Sequence, residues 1–250
     1  MGFFSRKKCY KTPYHPALYT LFDDMASKPH LLIAGATGSG KSVLENGILF
    51  NLLHEGPGRH QLILIDPKKV ELKRYAKLPQ VLTYANTPET MIQALRLAER
   101  IVDNRFSEME RKNQLMYEGS DVYVVIDELS FFMTSQKREA FPILKKLGMV
   151  SRAARVHMIA CTQTVKATVL PTELTCNFDS RCALRTSTAQ QSRMIIDCNG
   201  CERLPDPTTE HRAQCYFRDG ANLQLWNIPR YSDREFSELI NWWTSRKCMA

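Results

Sequence analysis

Short apolar runs bounded by polar or turn residues recur along the chain at His30–Ala34, Gln61–Ile65, Val122–Ile126 and Val156–Cys161, with a less apolar one at Arg181–Leu184. Runs of this length between turn signals predict buried strands. Between them, apolar residues recur at helical spacing over Ser42–His54, Pro88–Met116, Ala140–Ala154 and Ala189–Asp197. Strand, helix, strand in repetition implies right-handed crossovers and a mainly parallel central sheet with helices on both faces, an α/β fold. The C-terminal stretch changes in kind. Gln214–Arg218 and Leu223–Asn227 flank Asp219-Gly220-Ala221-Asn222 and predict an antiparallel hairpin, and Asp233–Thr244 predicts a closing helix capped by Ser232 or Asp233. Residues 1–29 hold Pro13, Pro16 and Pro29 around a short helical pattern at Ala17–Ala26, and read as an N-terminal arm or lid leading into one domain over 30–250.

Composition agrees with a folded domain. A chain of 250 residues, 44% apolar and 24% charged, is neither wholly disordered nor collagen-like. The longest apolar stretches, such as Leu31–Ala36 and Val122–Ile126, fall far short of the roughly 20 residues that a membrane helix needs, so no membrane span is expected. Met1–Ser5 precedes Arg6, Lys7 and Lys8, the reverse of a secretory leader, and Ser5 stands one place too early for myristoylation. A cytoplasmic location is the expectation, and the eight cysteines are then free thiols. Cys198-Asn-Gly-Cys201 is the only CxxC; without a second pair at zinc spacing, a structural metal is not expected. A net charge of +8 fits a polyanionic partner or a merely solvated basic surface.

One octet carries definite chemistry. Gly35-Ala36-Thr37-Gly38-Ser39-Gly40-Lys41-Ser42 satisfies the phosphate-binding pattern G-x-x-x-x-G-K-[ST], and it follows an apolar strand and opens a helix that continues through Val43. Glycines let the backbone curl until its N–H groups point at phosphate oxygens, and the helix N-terminus adds partial positive charge. Lys41 is expected to reach the β- and γ-phosphates of ATP, and Ser42 to ligate Mg²⁺. Two strands end in an acid that could orient the metal: Leu62–Asp66 and Tyr123–Asp127. The second is followed by Glu128, so Asp127 is assigned to Mg²⁺ and Glu128 to the general base that hydrolysis requires; Asp66, before Pro67, also fits a turn-initiating role. Gln163 follows the Val156–Cys161 strand, where an amide can contact the γ-phosphate or the attacking water, or bond only to backbone.

Several runs together resemble the motor domain of the FtsK/SpoIIIE DNA translocases: Lys28–Gly35 into Gly38–Val43, Leu64-Ile65-Asp66-Pro67-Lys68, Glu108–Lys112, Ile126–Leu129, and Ser151–His157 leading to Thr162-Gln163. A weaker stretch follows through Leu170-Pro171, Arg181, Arg185 and Ser192–Asp197, after which Cys198–Arg212 replaces the family's glycine-rich segment. The resemblance implies a RecA-like P-loop ATPase that assembles as a homo-oligomer, usually a hexameric ring, around double-stranded DNA and moves along it by ATP hydrolysis. Lacking a membrane anchor, a long linker and a winged-helix module, the chain is expected to serve a mobile element, plasmid or phage, with a relaxase, replication or packaging partner. Alternatives are a viral genome-packaging or conjugative coupling ATPase, and a nucleotide-dependent switch with little turnover.

Within Lys137–Arg155, the basic residues Lys137, Arg138, Lys145, Lys146, Arg152 and Arg155 face one acid, Glu139, where the resemblance places a loop toward the ring's channel. Lys137 and Arg138 are the candidate DNA-phosphate contacts, or part of a solvated face. Ring ATPases complete their sites with an arginine from the neighbouring subunit, and the resemblance leaves Arg152 and Arg111 as alternatives for that role.

Overall fold

The computed structural model describes residues 29–54, 60–163, 165, 166, 168–207 and 212–246. The short helix anticipated at Ala17–Ala26 lies outside these residues. Eight strands form one sheet in the order β3-β2-β4-β5-β1-β6-β7-β8. The strands are β1 (His30–Ala34), β2 (His60–Ile65), β3 (Val81–Ala85), β4 (Asp121–Ile126), β5 (Val156–Thr162), β6 (Ser180–Ala183), β7 (Gln214–Asp219) and β8 (Asn222–Asn227). Pairings from β3 through β6 are parallel. β6, β7 and β8 continue antiparallel, with β7 and β8 forming the anticipated hairpin.

The three strands at the centre, β4, β5 and β1, are buried at every position, which is why they read as uninterrupted apolar runs. Their alternating side chains feed two separate layers. Leu31, Ile33, Val125 and Ile159 face helix α1 (Lys41–His54) and the closing helix α7 (Asp233–Arg246), joining Ile48, Phe50, Leu239 and Trp243. The Trp243 indole donates to the Leu53 carbonyl at 3.0 Å and pins α7 to α1. On the other face, Leu32, Val124, Ile126 and Met158 meet α2 (Pro88–Lys112), α3 (Leu129–Ser135) and α4 (Lys137–Val150). Two further helices, α5 (Thr172–Thr175) and α6 (Ala189–Ile196), flank β6.

The structure departs from the sequence reading at several boundaries. α2 stops at Lys112, because Asn113 adopts the left-handed conformation and its N–H closes on Glu110 and Met109. Helix α4 begins at Lys137 and ends at Val150, earlier at both ends than Ala140–Ala154, and holds Pro142 inside its first two turns. The segment carrying Lys137 and Arg138 is therefore helix, not loop. Strand β3 and helix α3 went unread. Closing helix α7 is capped from Ser232: its Oγ accepts from Glu235 N at 3.3 Å while the Glu235 carboxylate accepts from Ser232 N at 2.6 Å. No helix among the described residues is long and apolar enough to cross a membrane. The six cysteines among them are free thiols.

Candidate functional site

Parallel pairing brings four strand ends to one edge of the sheet. Ile65 partners Ile126, Ile126 partners Ala160, and Ala34 partners Thr162. Asp66, Asp127, Gln163 and Gly35 thus leave β2, β4, β5 and β1 side by side at their carboxyl ends, where ligands bind in open α/β sheets.

Gly35–Ser42 turns tightly from β1 into α1. Gly38 (φ +77°) and Gly40 (φ +97°) occupy the left-handed region, and a Cβ on Gly40 would stand 2.6 Å from that of Ala213. The Ala36 N–H bonds the Arg185 carbonyl at 2.8 Å, tying the loop to the end of β6. Lys41 is buried, and its ammonium donates to the carbonyls of Gly35 and Ala36 at 2.9 and 2.8 Å. Burial lowers its pKa, with the charge on Lys68 acting in the same direction. Ser42 and Val43 lie in the first turn of α1. An open cleft beside the loop is lined by Gly35, Ala36, Thr37, Gln163, Thr186 and Ser187.

Asp127 and Glu128 are both buried where β4 gives way to α3. Burial pushes the Asp127 carboxyl up to about 6; Lys68 opposes this, and Asp66, Glu71 and Glu128 reinforce it. Glu128 Oε1 accepts from the Ser130 hydroxyl at 2.6 Å and from Gln163 N at 3.1 Å, and Lys68 Nζ lies 3.2 Å from Oε2. Gln163 Oε1 in turn accepts from the Thr37 hydroxyl at 3.0 Å. A continuous chain of contacts therefore runs from the β2 loop through the general-base candidate and the amide to the phosphate loop. Asp66 has a different employment: it accepts from Leu72 N at 3.1 Å and from the Tyr84 hydroxyl at 3.3 Å, holding the turn after β2.

The residues present fit a magnesium nucleotide. Asp127 Oδ2 and Ser39 Oγ are buried without a hydrogen-bond partner among the described residues, and a Cβ on Gly35 or Gly40 would meet neighbouring atoms at 2.7 and 2.6 Å.

Sequence reasoning missed two members of this neighbourhood. Lys68 came into view only within the Asp66-Pro67-Lys68 run, with no role attached. Glu45, one turn beyond Lys41, is fully buried beside Cys161. Burial, reinforced by Asp127, raises its pKa well above the usual carboxylate range.

Arg111 and Arg152 stand elsewhere. One closes α2, the other lies in the turn between α4 and β5, and both are exposed at the opposite edge of the sheet. Those two segments are joined by Tyr117 N donating to Ala153 O at 2.9 Å. Arg105, buried, grips the Ala154, Arg155 and Ser120 carbonyls at 2.7, 3.1 and 2.8 Å, and Arg155 pairs with Asp121 at 2.7 Å. Of the basic residues in 137–155, Lys145 pairs with Glu173, Lys146 with Glu99 and Asp103, and Arg155 with Asp121. Lys137, Arg138 and Arg152 are the exposed members left over.

Known proteins resemble this chain over most of its length. Two curated relatives are DNA translocases named FtsK. That of Lactiplantibacillus plantarum is 37% identical over 240 residues, covering 87% of this chain and 30% of the relative. That of Chlorobaculum tepidum is 35% identical over 205 residues, covering 74% and 26%. This chain thus spans between a quarter and a third of their length. Among solved structures, the pCW3 conjugation coupling protein TcpA, in a form with ATPγS, superposes with a TM-score of 0.71 at 23% identity, covering 88% of this chain and 66% of that one, a likeness of fold. The family model for FtsK/SpoIIIE matches residues 19–199, a stretch that takes in every strand end from Gly35 to Gln163, and the chain belongs to the FtsK/SpoIIIE family.

Proposed function

We propose that this chain is an ATP-hydrolysing motor domain that acts on double-stranded DNA. The observation that carries the reading is the pair Asp127 and Glu128, buried one strand away from the phosphate loop with Gln163 between them. A switch that only bound nucleotide would need the loop and the metal acid; a second carboxylate beside them suits repeated hydrolysis. The loop N–H groups and Lys41 would hold the phosphates, while Ser42 and Asp127 would hold Mg²⁺. The chemistry that Mg²⁺ would supply there is the offsetting of negative charge developing at the γ-phosphate. Glu128 takes the proton from the attacking water as general base. Gln163, touching both Thr37 and the Glu128 carboxylate, orients the water and links its position to the loop. Arg152 or Arg111, remote from their own phosphate loop, act on the site of an adjoining subunit in a ring.

The test is ATP hydrolysis with and without long double-stranded DNA. Stimulation by DNA is expected in the native protein, and Glu128→Gln should lower turnover by about a hundredfold or more while nucleotide still binds. Absence of stimulation at every DNA length and salt concentration overturns the reading.

A further inference from the structure

Lys68 faces the carboxylates of the site from the turn after β2. Its ammonium lies 3.2 Å from Glu128 Oε2 and 3.8 Å from Asp127 Oδ2. Burial works against its charge, yet Asp127 and Glu128 more than offset this and raise its pKa. Asp66 and Glu71 add further negative charge around Asp127. The two lysines are held differently. Lys41 is buried and bonded to two carbonyls of its own loop, whereas Lys68 is 42% exposed in its side chain and stands on the turn after β2. That turn is fixed without Lys68: Lys69 (φ +62°) donates its N–H to Asp66 O at 3.2 Å, and Leu72 N to the Asp66 carboxylate at 3.1 Å. The Lys68 side chain can therefore swing into water while the backbone stays in place.

With Oε1 of Glu128 taken by Ser130 and Gln163, Oε2 is the oxygen through which it can accept a proton from water. Lys68 points its ammonium at that oxygen, and at the Asp127 oxygen that accepts no hydrogen bond. An ammonium group and a divalent cation both draw on the same negative charge.

We propose that Lys68 is a positioning residue that acts as an internal counter-ion, competing with Mg²⁺ for Asp127 and shielding the reactive oxygen of Glu128 until the metal takes over its charge. This rests on the ATPase reading above. Mg²⁺ bound with nucleotide displaces Lys68 and frees Oε2, so the general base is exposed only when substrate and metal are both in place.

The experiment is Mg²⁺ titration of the binding of a fluorescent, non-hydrolysable ATP analogue, alongside kcat, in the native protein, Lys68→Met and Lys68→Arg. Met keeps the aliphatic stem and removes the charge. Lys68→Met should bring half-saturation to about fivefold lower Mg²⁺, the scale of one partly exposed ion pair, with kcat changed by less than about twofold. Lys68→Arg should behave as the native protein. A tenfold or larger fall in kcat at unchanged Mg²⁺ dependence would place Lys68 on the transition state and overturn the proposal. No change in either quantity would also overturn it. Lys68→Gln, neutral and polar, gives the same readout if the Met variant does not fold. Failure of the native protein to bind the analogue at any Mg²⁺ concentration would sink the ATPase reading itself, an outcome distinct from either of these.

Discussion

Asp127 shows how surroundings set the work of a single side chain. Its carboxyl titrates at about 6 instead of 3.8, chiefly because it is buried, with three other carboxylates adding to the effect. Because the folded value is the higher one, the folded protein holds this proton more tightly than the unfolded chain. The stability it contributes is present below pH 3.8 and lost as pH rises through 6. Metal binding runs the opposite way, since Mg²⁺ requires the ionised form. Mg²⁺ affinity, measured with a non-hydrolysable nucleotide, is therefore expected to be flat above about pH 7 and to fall by up to about tenfold for each unit below 6. An affinity that stays level down to pH 5 contradicts the assignment. The phosphate loop, Asp127 and Glu128 were legible in the sequence because each belongs to a short local pattern at a strand end. Glu45 was not. On α1 it reads as an ordinary polar residue, and only the packing of α1 against β5 turns it into a buried acid. The contact of Lys68 with Glu128 spans 60 positions and depends on β2 lying next to β4.

The elements divide along similar lines. Strands β1, β2, β4 and β5 were readable because burial on both faces writes an apolar run. β3 escaped because it is an edge strand, Val81–Ala85, with Leu82 exposed and only Ala85 fully buried. Helix α3 escaped because it is only seven residues long and follows the apolar strand β4 after just Asp127 and Glu128, so a change of period has no room to show. Helix α4 carries a more informative feature: Lys137 and Arg138 occupy its first turn, where the helix dipole disfavours positive charge. Stability alone gives no reason for them. In Lys137→Ala/Arg138→Ala, the unfolding midpoint is expected to stay level or rise slightly. DNA affinity should fall, and the slope of log K against log salt should become shallower by about 1.8, two phosphates' worth. Denaturation and a salt series on the same preparation check both halves, and an unchanged slope removes these residues from the DNA contact.

On the scale of the whole molecule, the sheet separates two kinds of chemistry. The phosphate loop, the paired acids and Gln163 crowd one edge, while Arg111 and Arg152 project from the other, beyond reach of their own nucleotide site. If Arg152 completes the site of a neighbour, then mixing Arg152→Ala chains with Lys41→Ala chains should recover part of the ATPase activity that each lacks alone. In such a ring, some sites combine an intact loop with an intact arginine; no recovery at any mixing ratio counts against the role.

Strand β5 joins these two edges. It is seven residues long, buried throughout, and hydrogen-bonded to β4 on one side and β1 on the other. At about 3.3 Å per residue it is a strut of about 23 Å, with Gln163 at its head and the Arg152 turn at its foot. Slipping it by one residue would exchange its two buried faces and break both ladders. Head and foot are therefore held at a fixed spacing, so that if Arg152 serves a neighbouring site, a single strand ties that arginine to the Gln163 of its own chain.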